Sequence, residues 1–245
     1  MMANASSVRW LRRMRKRLPG CAKREEAAMD EASYFASQEQ KSERKIAWEY
    51  GRLLRLARLK LDRPLRVLDA GCGAGPGLRF FAAGGHWVVG LDRSPVALQR
   101  ASRQVPGAAL VQADLQAGLP FAEASFDLVV LGDVIEHLSD SRGLLVECRR
   151  VLRPGGHLLL STVNRWDFRR FFQGQRWSGR ADPSHVHLYS PWELRQALLR
   201  AGFGNVRLRA GAKPILWLPL RWPVGLPWPP LVGNGLIAAA VRPGG

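Results

Sequence analysis

Three alternating glycines, Gly71, Gly73 and Gly75, lie between a short apolar strand and an apolar helical pattern. The predicted strand is Leu65–Asp69, and Leu78 begins the helical pattern. A glycine loop between a buried strand and a helix lets the backbone approach a nucleotide-like ligand closely. We therefore expect this loop to form a ligand-binding site.

The spacing of the glycines argues against a dinucleotide as that ligand. A dinucleotide fingerprint places glycine at the first, third and sixth positions of the motif. Counted from Gly71, the sixth position is Pro76, which has no N–H to offer a pyrophosphate. The loop is therefore a poor NAD site.

Acidic residues lie at the carboxyl ends of three further predicted strands, and these residues are Asp92, Asp114 and Asp133. Ligands of open parallel sheets bind at the carboxyl ends of the strands, so the acids and the glycine loop are expected to share one cleft. Asp92 suits hydrogen bonds from ribose hydroxyls. Its alternative role is to cap the following helix, for which Ser94 is better placed.

The elements that position these residues alternate between strands and helices, which predicts an α/β fold. We expect a doubly wound, Rossmann-like, seven-stranded sheet that is mostly parallel and has an antiparallel last strand. The predicted strands are Leu65–Asp69, His86–Asp92, Ala109–Ala113, Phe126–Leu131, His157–Thr162, Val206–Ala210 and Leu236–Val241. The predicted helices are Ser33–Leu61, Ser94–Val105, Ser141–Leu152 and Ser190–Gly202.

The chain divides into a tail, a cap and one large domain. Residues 1–30 are expected to be a basic tail, residues 31–62 a helical cap and residues 63–245 the ligand-binding domain. Within that domain, 163–189 is expected to be a lid loop and 212–233 an apolar insertion rich in Pro and Trp. The lid would line an acceptor site for an anionic or lipid-like substrate or for stacked bases, and the insertion would form a membrane-interface or apolar-substrate surface. For both segments, ordinary packing against the core is the alternative.

The segment from Leu65 to Phe203 resembles the class I S-adenosylmethionine-dependent methyltransferases, in particular the type-11, ubiquinone and menaquinone biosynthesis-like kind. The resemblance lies in the glycine loop, in Asp92, in Ala113-Asp114-Leu115 and in Ser125-Phe126-Asp127. It implies the family fold, S-adenosylmethionine as cofactor and methyl transfer to O, N or C of a small, hydrophobic or lipid- or quinone-like acceptor. The cofactor-binding residues that it implies are Asp69, Gly71, Gly73, Gly75, Asp92, Arg93, Asp114 and Leu115.

Titratable side chains follow the fourth predicted strand, and more lie in the loop expected to fold back over the cleft. His137, His187 and Asp133 are the candidate catalytic residues, acting as a base or as hydrogen-bonding groups for the acceptor. Glu136, His137 and His185 resemble the ligands of metal-dependent small-RNA and ubiquinone-pathway O-methyltransferases. That resemblance implies Mg²⁺ at an acceptor oxygen. A cleft-shaping role without metal is the alternative.

The net charge of +17 is partly local, because residues 1–24 hold eight basic and no acidic residues, while the rest of the chain carries about +9. Residues 8–18 fit a short amphipathic helix that would bind an anionic membrane surface. The same segment also fits a mitochondrial transit peptide or a solvated, disordered arm. The scattered cysteines indicate a reducing compartment. We therefore expect a cytoplasmic protein, peripheral on a membrane if the helix binds lipid, or a matrix protein if the tail is a transit peptide.

Two other function classes are weighed against a small-molecule enzyme. A nucleic-acid substrate is disfavoured, because the segment 131–137 lacks the Pro-Pro-aromatic motif of base methyltransferases and no cysteine has a nucleophile's setting. RNA ribose methylation stays open on the basic charge. A non-catalytic, membrane-associated cofactor-binding module is disfavoured by the intact glycine loop and strand-end acids. The sequence does not predict the oligomeric state.

Overall fold

The computed structural model describes residues 43–167, 170–174, 177, 179, 182–211, 233 and 235–244. The predictions for the basic tail, for the first part of the cap and for most of the apolar insertion lie outside these residues. Within the described part of the chain, no helix is long and apolar enough to cross a membrane.

A seven-stranded mixed sheet forms the centre of the molecule, with the order β3-β2-β1-β4-β5-β7-β6. Strand β7 runs antiparallel to both β5 and β6, and the pairs among β1 to β5 are parallel. This confirms the predicted fold class. The strands are β1 Arg66–Ala70, β2 Trp87–Asp92, β3 Ala109–Gln112, β4 Phe126–Gly132, β5 Leu152–Val163, β6 Gly204–Gly211 and β7 Gly235–Val241.

Helices cover both faces of the sheet. Those of the described residues are α1 Glu43–Ala57, α2 Pro76–Ala83, α3 Pro95–Gln104, α4 Ser141–Val151, α5 Arg170–Gln173 and α6 Pro191–Arg200, with short 3₁₀ helices at Leu115–Ala117 and Ile135–His137. Ser94 caps α3, as the sequence predicted, and Ser190 forms a capping box with Glu193 at the start of α6.

Two buried clusters show which helix faces which side of the sheet. Helices α1, α2 and α3 pack on one face, where Tyr50 and Phe81 meet Val130. Helices α4 and α6 pack on the other face, where Leu145 and Leu198 belong to the second cluster. The middle of β4, Leu128–Leu131, is buried on both faces of the sheet, which is why its sequence is a continuous apolar run.

Two element boundaries differ from the predictions by four residues or more. Helix α1 ends at Ala57 rather than Leu61, because Arg58 takes a left-handed conformation (φ 54°) that stops the helix. Strand β5 begins at Leu152 rather than His157, so it includes the Pro-Gly-Gly segment that reads as a turn. Gly155 and Gly156 hydrogen-bond to the backbone of Arg242, which extends the strand beyond its local signal.

Candidate active site

The glycine loop joins β1 to α2 at the carboxyl edge of the sheet. Gly71, Gly73 and Gly75 all have positive φ, at 85°, 51° and 92°, where side chains are disfavoured. The N–H of Gly71 donates to the carbonyl of Leu91 at the end of β2. A Cβ on Gly71 would collide with the side chain of Val134, so this position requires glycine on both steric and conformational grounds.

Asp92 fastens the glycine loop to the end of β2. The N–H of Gly73 donates to Asp92 Oδ2, and the N–H of Ser94 donates to Oδ1, each at 2.9 Å. Each carboxylate oxygen still has lone-pair capacity for a further donor. The predicted ribose role and the alternative role at the helix start are therefore compatible, because one carboxylate supports the loop and keeps acceptors for a ligand.

Asp69, at the base of the loop, is a nearly buried carboxyl with 3% of its surface exposed. Burial raises the pKa of Asp69 to about 7, and the nearby Asp92 adds to this, while a hydrogen bond from the N–H of Leu78 opposes it. A Cβ on Gly77 would collide with Asp69 Oδ2 and with the hydroxyl of Tyr50. Gly77 therefore leaves room for two polar groups to meet beneath the loop.

Tyr50 is a site residue that the sequence reasoning missed. It lies on the buried face of α1, four residues after Ile46, and its ring stacks on Phe80 with centroids 5.2 Å apart. Burial raises the pKa of Tyr50 well above its usual value, with Asp69 the next largest cause. The only sequence signal was a tyrosine among the apolar residues of a predicted cap helix, and such a residue is normally interpreted as part of the hydrophobic core.

The remaining predicted cofactor residues lie at the same edge of the sheet. Asp114 is exposed, and its Oδ1 accepts the N–H of Gln116 at the start of a 3₁₀ helix. Leu115 is buried in the core, while the side chain of Arg93 is exposed and its carbonyl accepts a hydrogen bond from Gln112. This placement agrees with a shared cleft, and the binding roles of these residues stay predictions.

Asp133 follows β4 and is exposed at the carboxyl edge. It has a left-handed backbone (φ 54°), which is uncommon for residues other than glycine and is often found at functional sites. The hydroxyl of Ser161 donates to Asp133 Oδ1 at 2.9 Å, and the N–H of Asp133 donates to the carbonyl of Ser161. The end of β5 therefore holds this carboxylate in place.

Glu136 is fully buried on the 3₁₀ helix that follows. Its Oε2 accepts a hydrogen bond from the hydroxyl of Thr162 at 2.9 Å, and its Oε1 has no hydrogen-bond partner among the described residues. Burial raises the pKa of Glu136 above its usual range, and the charge of Asp133 adds to this. A buried carboxyl oxygen without a hydrogen-bond partner is costly and calls for an explanation, of which a role at a functional site is one.

The loop 182–187 returns to the same 3₁₀ helix, as the sequence predicted for the histidine loop. The N–H groups of Val186 and His187 both donate to the carbonyl of Glu136, at 2.8 and 3.1 Å. Main-chain bonds therefore hold the loop over the end of β4.

Side chains of this loop also hold His137. The hydroxyl of Ser184 lies 2.9 Å from Nδ1 of His137 and donates to Asp182 Oδ1. The rings of His137 and His185 have centroids 4.9 Å apart. Burial lowers the pKa of His137, and the neighbouring His185 lowers it further, so the neutral imidazole is favoured near pH 7.

The three predicted metal ligands do come together. One ligand atom from each of Glu136, His137 and His185 lies within 4.8 Å of the others. Nδ1 of His185 and Oε1 of Glu136 are buried and lack hydrogen-bond partners among the described residues. Two imidazoles and one carboxylate suit zinc or another transition metal, whereas Mg²⁺ prefers oxygen ligands. The donor set therefore does not fit the predicted Mg²⁺.

His187, the second predicted catalytic histidine, stands apart from that cluster. Its imidazole is exposed and packs edge-on against Tyr189, with centroids 4.3 Å apart. Its backbone, rather than its ring, is tied to Glu136. A role in acceptor binding stays a prediction for this residue.

The described part of the predicted lid, 163–189, contains both buried and exposed aromatic side chains, and its role in acceptor binding stays a prediction. Trp177 is buried, and its indole N–H donates to Asp167 Oδ2 at 2.7 Å, so this aromatic serves packing. Trp166 and Phe171 are 45% and 72% exposed, as a surface that meets a ligand or partner would require.

Comparison with known proteins places this site in context. Residues 39–208 match the family model described as "Methyltransferase domain". A probable S-adenosylmethionine-dependent methyltransferase of Mycobacterium tuberculosis is 35% identical over 181 residues, covering 67% of this chain and 63% of that protein. A ubiquinone biosynthesis O-methyltransferase of Cereibacter sphaeroides is 32% identical over 188 residues, covering 73% of this chain and 74% of that protein.

Solved structures agree on the fold. A crystal structure of an S-adenosylmethionine-dependent methyltransferase from Archaeoglobus fulgidus matches 85% of this chain and 99% of its own, with a TM-score of 0.65 and 18% identity. The family match covers the glycine loop, the strand-end acids and the histidine cluster. The chain therefore belongs to the methyltransferase domain family, and it spans less than two thirds of the length of the first of these relatives, at 63%.

Proposed function

We propose that this enzyme transfers the methyl group to an oxygen of a small, hydrophobic acceptor, such as a phenol or a quinol. The observation that carries the proposal is the cluster of His137, His185 and Glu136 beside Asp133, at the same edge of the sheet as the glycine loop. Such a cluster suits the handling of a hydroxyl proton. The ubiquinone biosynthesis O-methyltransferase among the relatives supports the same acceptor class.

S-adenosylmethionine supplies an activated methyl, so the S–CH₃ bond breaks as the O–CH₃ bond forms and S-adenosylhomocysteine leaves. The protein's task is to orient the acceptor and to remove its proton. With Nδ1 of His137 engaged by Ser184, Nε2 is the nitrogen available to accept that proton. Asp182 orients the relay, because it accepts the hydrogen bond from Ser184.

A bound zinc-like ion is the second mechanism that the same residues support. Glu136, His137 and His185 would hold it, and it would lower the pKa of an acceptor hydroxyl. The observation that favours it is the pair of buried, unpartnered atoms on Glu136 and His185. Treating the wild type with EDTA separates the mechanisms: inhibition supports the ion, and full activity supports the histidine base.

The test is methyl transfer from labelled S-adenosylmethionine to separate pools of phenols and quinols, polar amines, lipids and RNA. We expect labelling of the phenol and quinol pool, and we expect His137→Ala to lower turnover by about 10²–10⁴ while cofactor affinity stays unchanged. His86→Ala is the control for loss of an imidazole, because His86 lies just before the amino end of β2, at the opposite end of the sheet from this cluster. Labelling confined to RNA or to amines, or full turnover in His137→Ala, would contradict the proposal.

A further inference from the structure

A cavity of about 230 Å³ lies at the end of the sheet opposite the glycine loop. It is formed where the carboxyl end of α1 meets the first part of β5, at the level where His157 pairs with Val241 of β7. The glycine loop follows the carboxyl end of β1, which runs in the same direction as β4 and β5, so it lies at the other end of the sheet. The residues that line the cavity are Ala57, Arg58, His157, Asn205, Arg207, Ala239, Ala240 and Val241.

The charge of this cavity has one sign. Arg58 and Arg207 line it, and none of its lining residues is acidic. Nη1 of Arg207 donates to the carbonyls of Leu56 and Ala57 at 3.4 and 3.3 Å. Arg207 therefore compensates the negative end of the α1 dipole, which would otherwise repel an anion.

Two lining residues hold backbone conformations that side chains rarely adopt. Arg58 has φ 54° and Asn205 has φ 48°, and they are two of the four such non-glycine residues in the described part of the chain. Arg58 occupies the position after α1 where glycine is preferred, because the N–H of Leu59 reaches back to the carbonyl of Leu54. Because a strained backbone conformation is often retained for function, we infer that the guanidinium of Arg58 has a binding role.

His157 adds a polar atom without a partner. Its Nδ1 is buried and has no hydrogen-bond partner among the described residues. Burial lowers the pKa of His157, and the positive charges of Arg153 and Arg207 lower it further. An anion in the cavity would offset the charges of Arg58 and Arg207 and would accept a hydrogen bond from the imidazole of His157, which lines the cavity.

We propose that this cavity binds a phosphate group. Arg58 and Arg207 supply positive charge, and His157 and Asn205 supply neutral hydrogen-bond donors. Phosphate oxygens accept hydrogen bonds from both kinds of donor. The volume admits a phosphate with part of the group that carries it. The source is either free phosphate and its monoesters or the headgroup of a phosphate lipid. The proposal is independent of the acceptor proposed above.

The test titrates the full-length protein with inorganic phosphate by calorimetry and follows thermal unfolding in phosphate and in chloride at equal ionic strength. We expect saturable binding in the wild type and binding at least about tenfold weaker in Arg58→Gly and His157→Asn. Arg58→Gly keeps the helix end, because glycine suits the left-handed conformation. Arg55→Ala, an exposed arginine of the same helix outside the cavity, is the matched control and should bind as the wild type does.

A second arm replaces phosphate with vesicles of phosphatidic acid in phosphatidylcholine, and with phosphatidylcholine alone. Binding of the acidic vesicles that depends on Arg58, without binding of free phosphate, assigns the site to a lipid headgroup. Binding of both probes, or of free phosphate alone, assigns it to soluble phosphates. If Arg58→Gly and Arg55→Ala lose affinity equally, or if neither probe binds, the proposal is overturned, because the cavity then contributes nothing beyond general charge.

Discussion

Replacing Asp92 by asparagine tests how the cofactor site is built. The carboxylate accepts two backbone N–H groups, from Gly73 and Ser94, each at 2.9 Å. An asparagine of the same shape has one acceptor oxygen, so its NH₂ group must face one of these donors. Loss of one hydrogen bond to a charged group is worth about 1.5–3 kcal/mol, which corresponds to roughly 10- to 150-fold in affinity.

Calorimetric titration of Asp92→Asn with S-adenosylhomocysteine measures this loss. Asp127→Asn is the control, because Asp127 likewise accepts a backbone N–H, from Arg66, and pairs with Arg63 at the opposite end of the sheet. We expect the control to lose stability and to keep its cofactor affinity. An affinity of Asp92→Asn within about twofold of the wild type would refute the assigned role, since the loop would then not depend on the charged acceptor.

Three further expectations concern stability. Because the folded pKa of Asp69 is raised to about 7, ionisation of Asp69 should cost the cofactor-free protein up to about 4 kcal/mol of stability as pH rises from 4 to 8. In denaturant unfolding at the two pH values, Asp69→Asn should remove this part of the loss and leave the part due to Glu136, whose pKa is also raised. Gly77→Ala should lower the unfolding free energy by about 1–3 kcal/mol and weaken cofactor binding, because the added methyl group would collide with Asp69 and Tyr50. Scanning and titration calorimetry measure the two effects, and an unchanged melting temperature with unchanged cofactor affinity would contradict the packing described. Ser190→Ala should lower the unfolding free energy by about 1 kcal/mol through loss of the capping box, whereas Ser190→Thr should keep most of it in the same assay.

Local sequence signals were sufficient for the sheet and for the cofactor loop. The strands are apolar runs, and the glycines and acids at their ends follow a fixed spacing, so neighbouring residues alone determine where they lie. The cluster of Glu136, His137 and His185 could also be predicted from the sequence, because Glu136 and His137 are adjacent in one motif.

The residues missed by sequence reasoning depend on contacts between distant segments. Tyr50 reaches Asp69 only once α1 packs over the glycine loop, and nothing near it in sequence marks it as a site residue. Ser184 becomes a partner of His137 across 47 positions. The end of α1 was misplaced because Arg58 occupies a position at which glycine is the usual signal.

The attachment of the loop 182–187 has a consequence for how this enzyme can change over evolution. The N–H groups of Val186 and His187, rather than their side chains, bind the carbonyl of Glu136. Both side chains are exposed, so their identity is not tied to the loop's position. Substitution at these two positions can therefore alter the wall that the loop presents without releasing the loop, which makes them natural sites for acquiring new acceptors and for directed diversification.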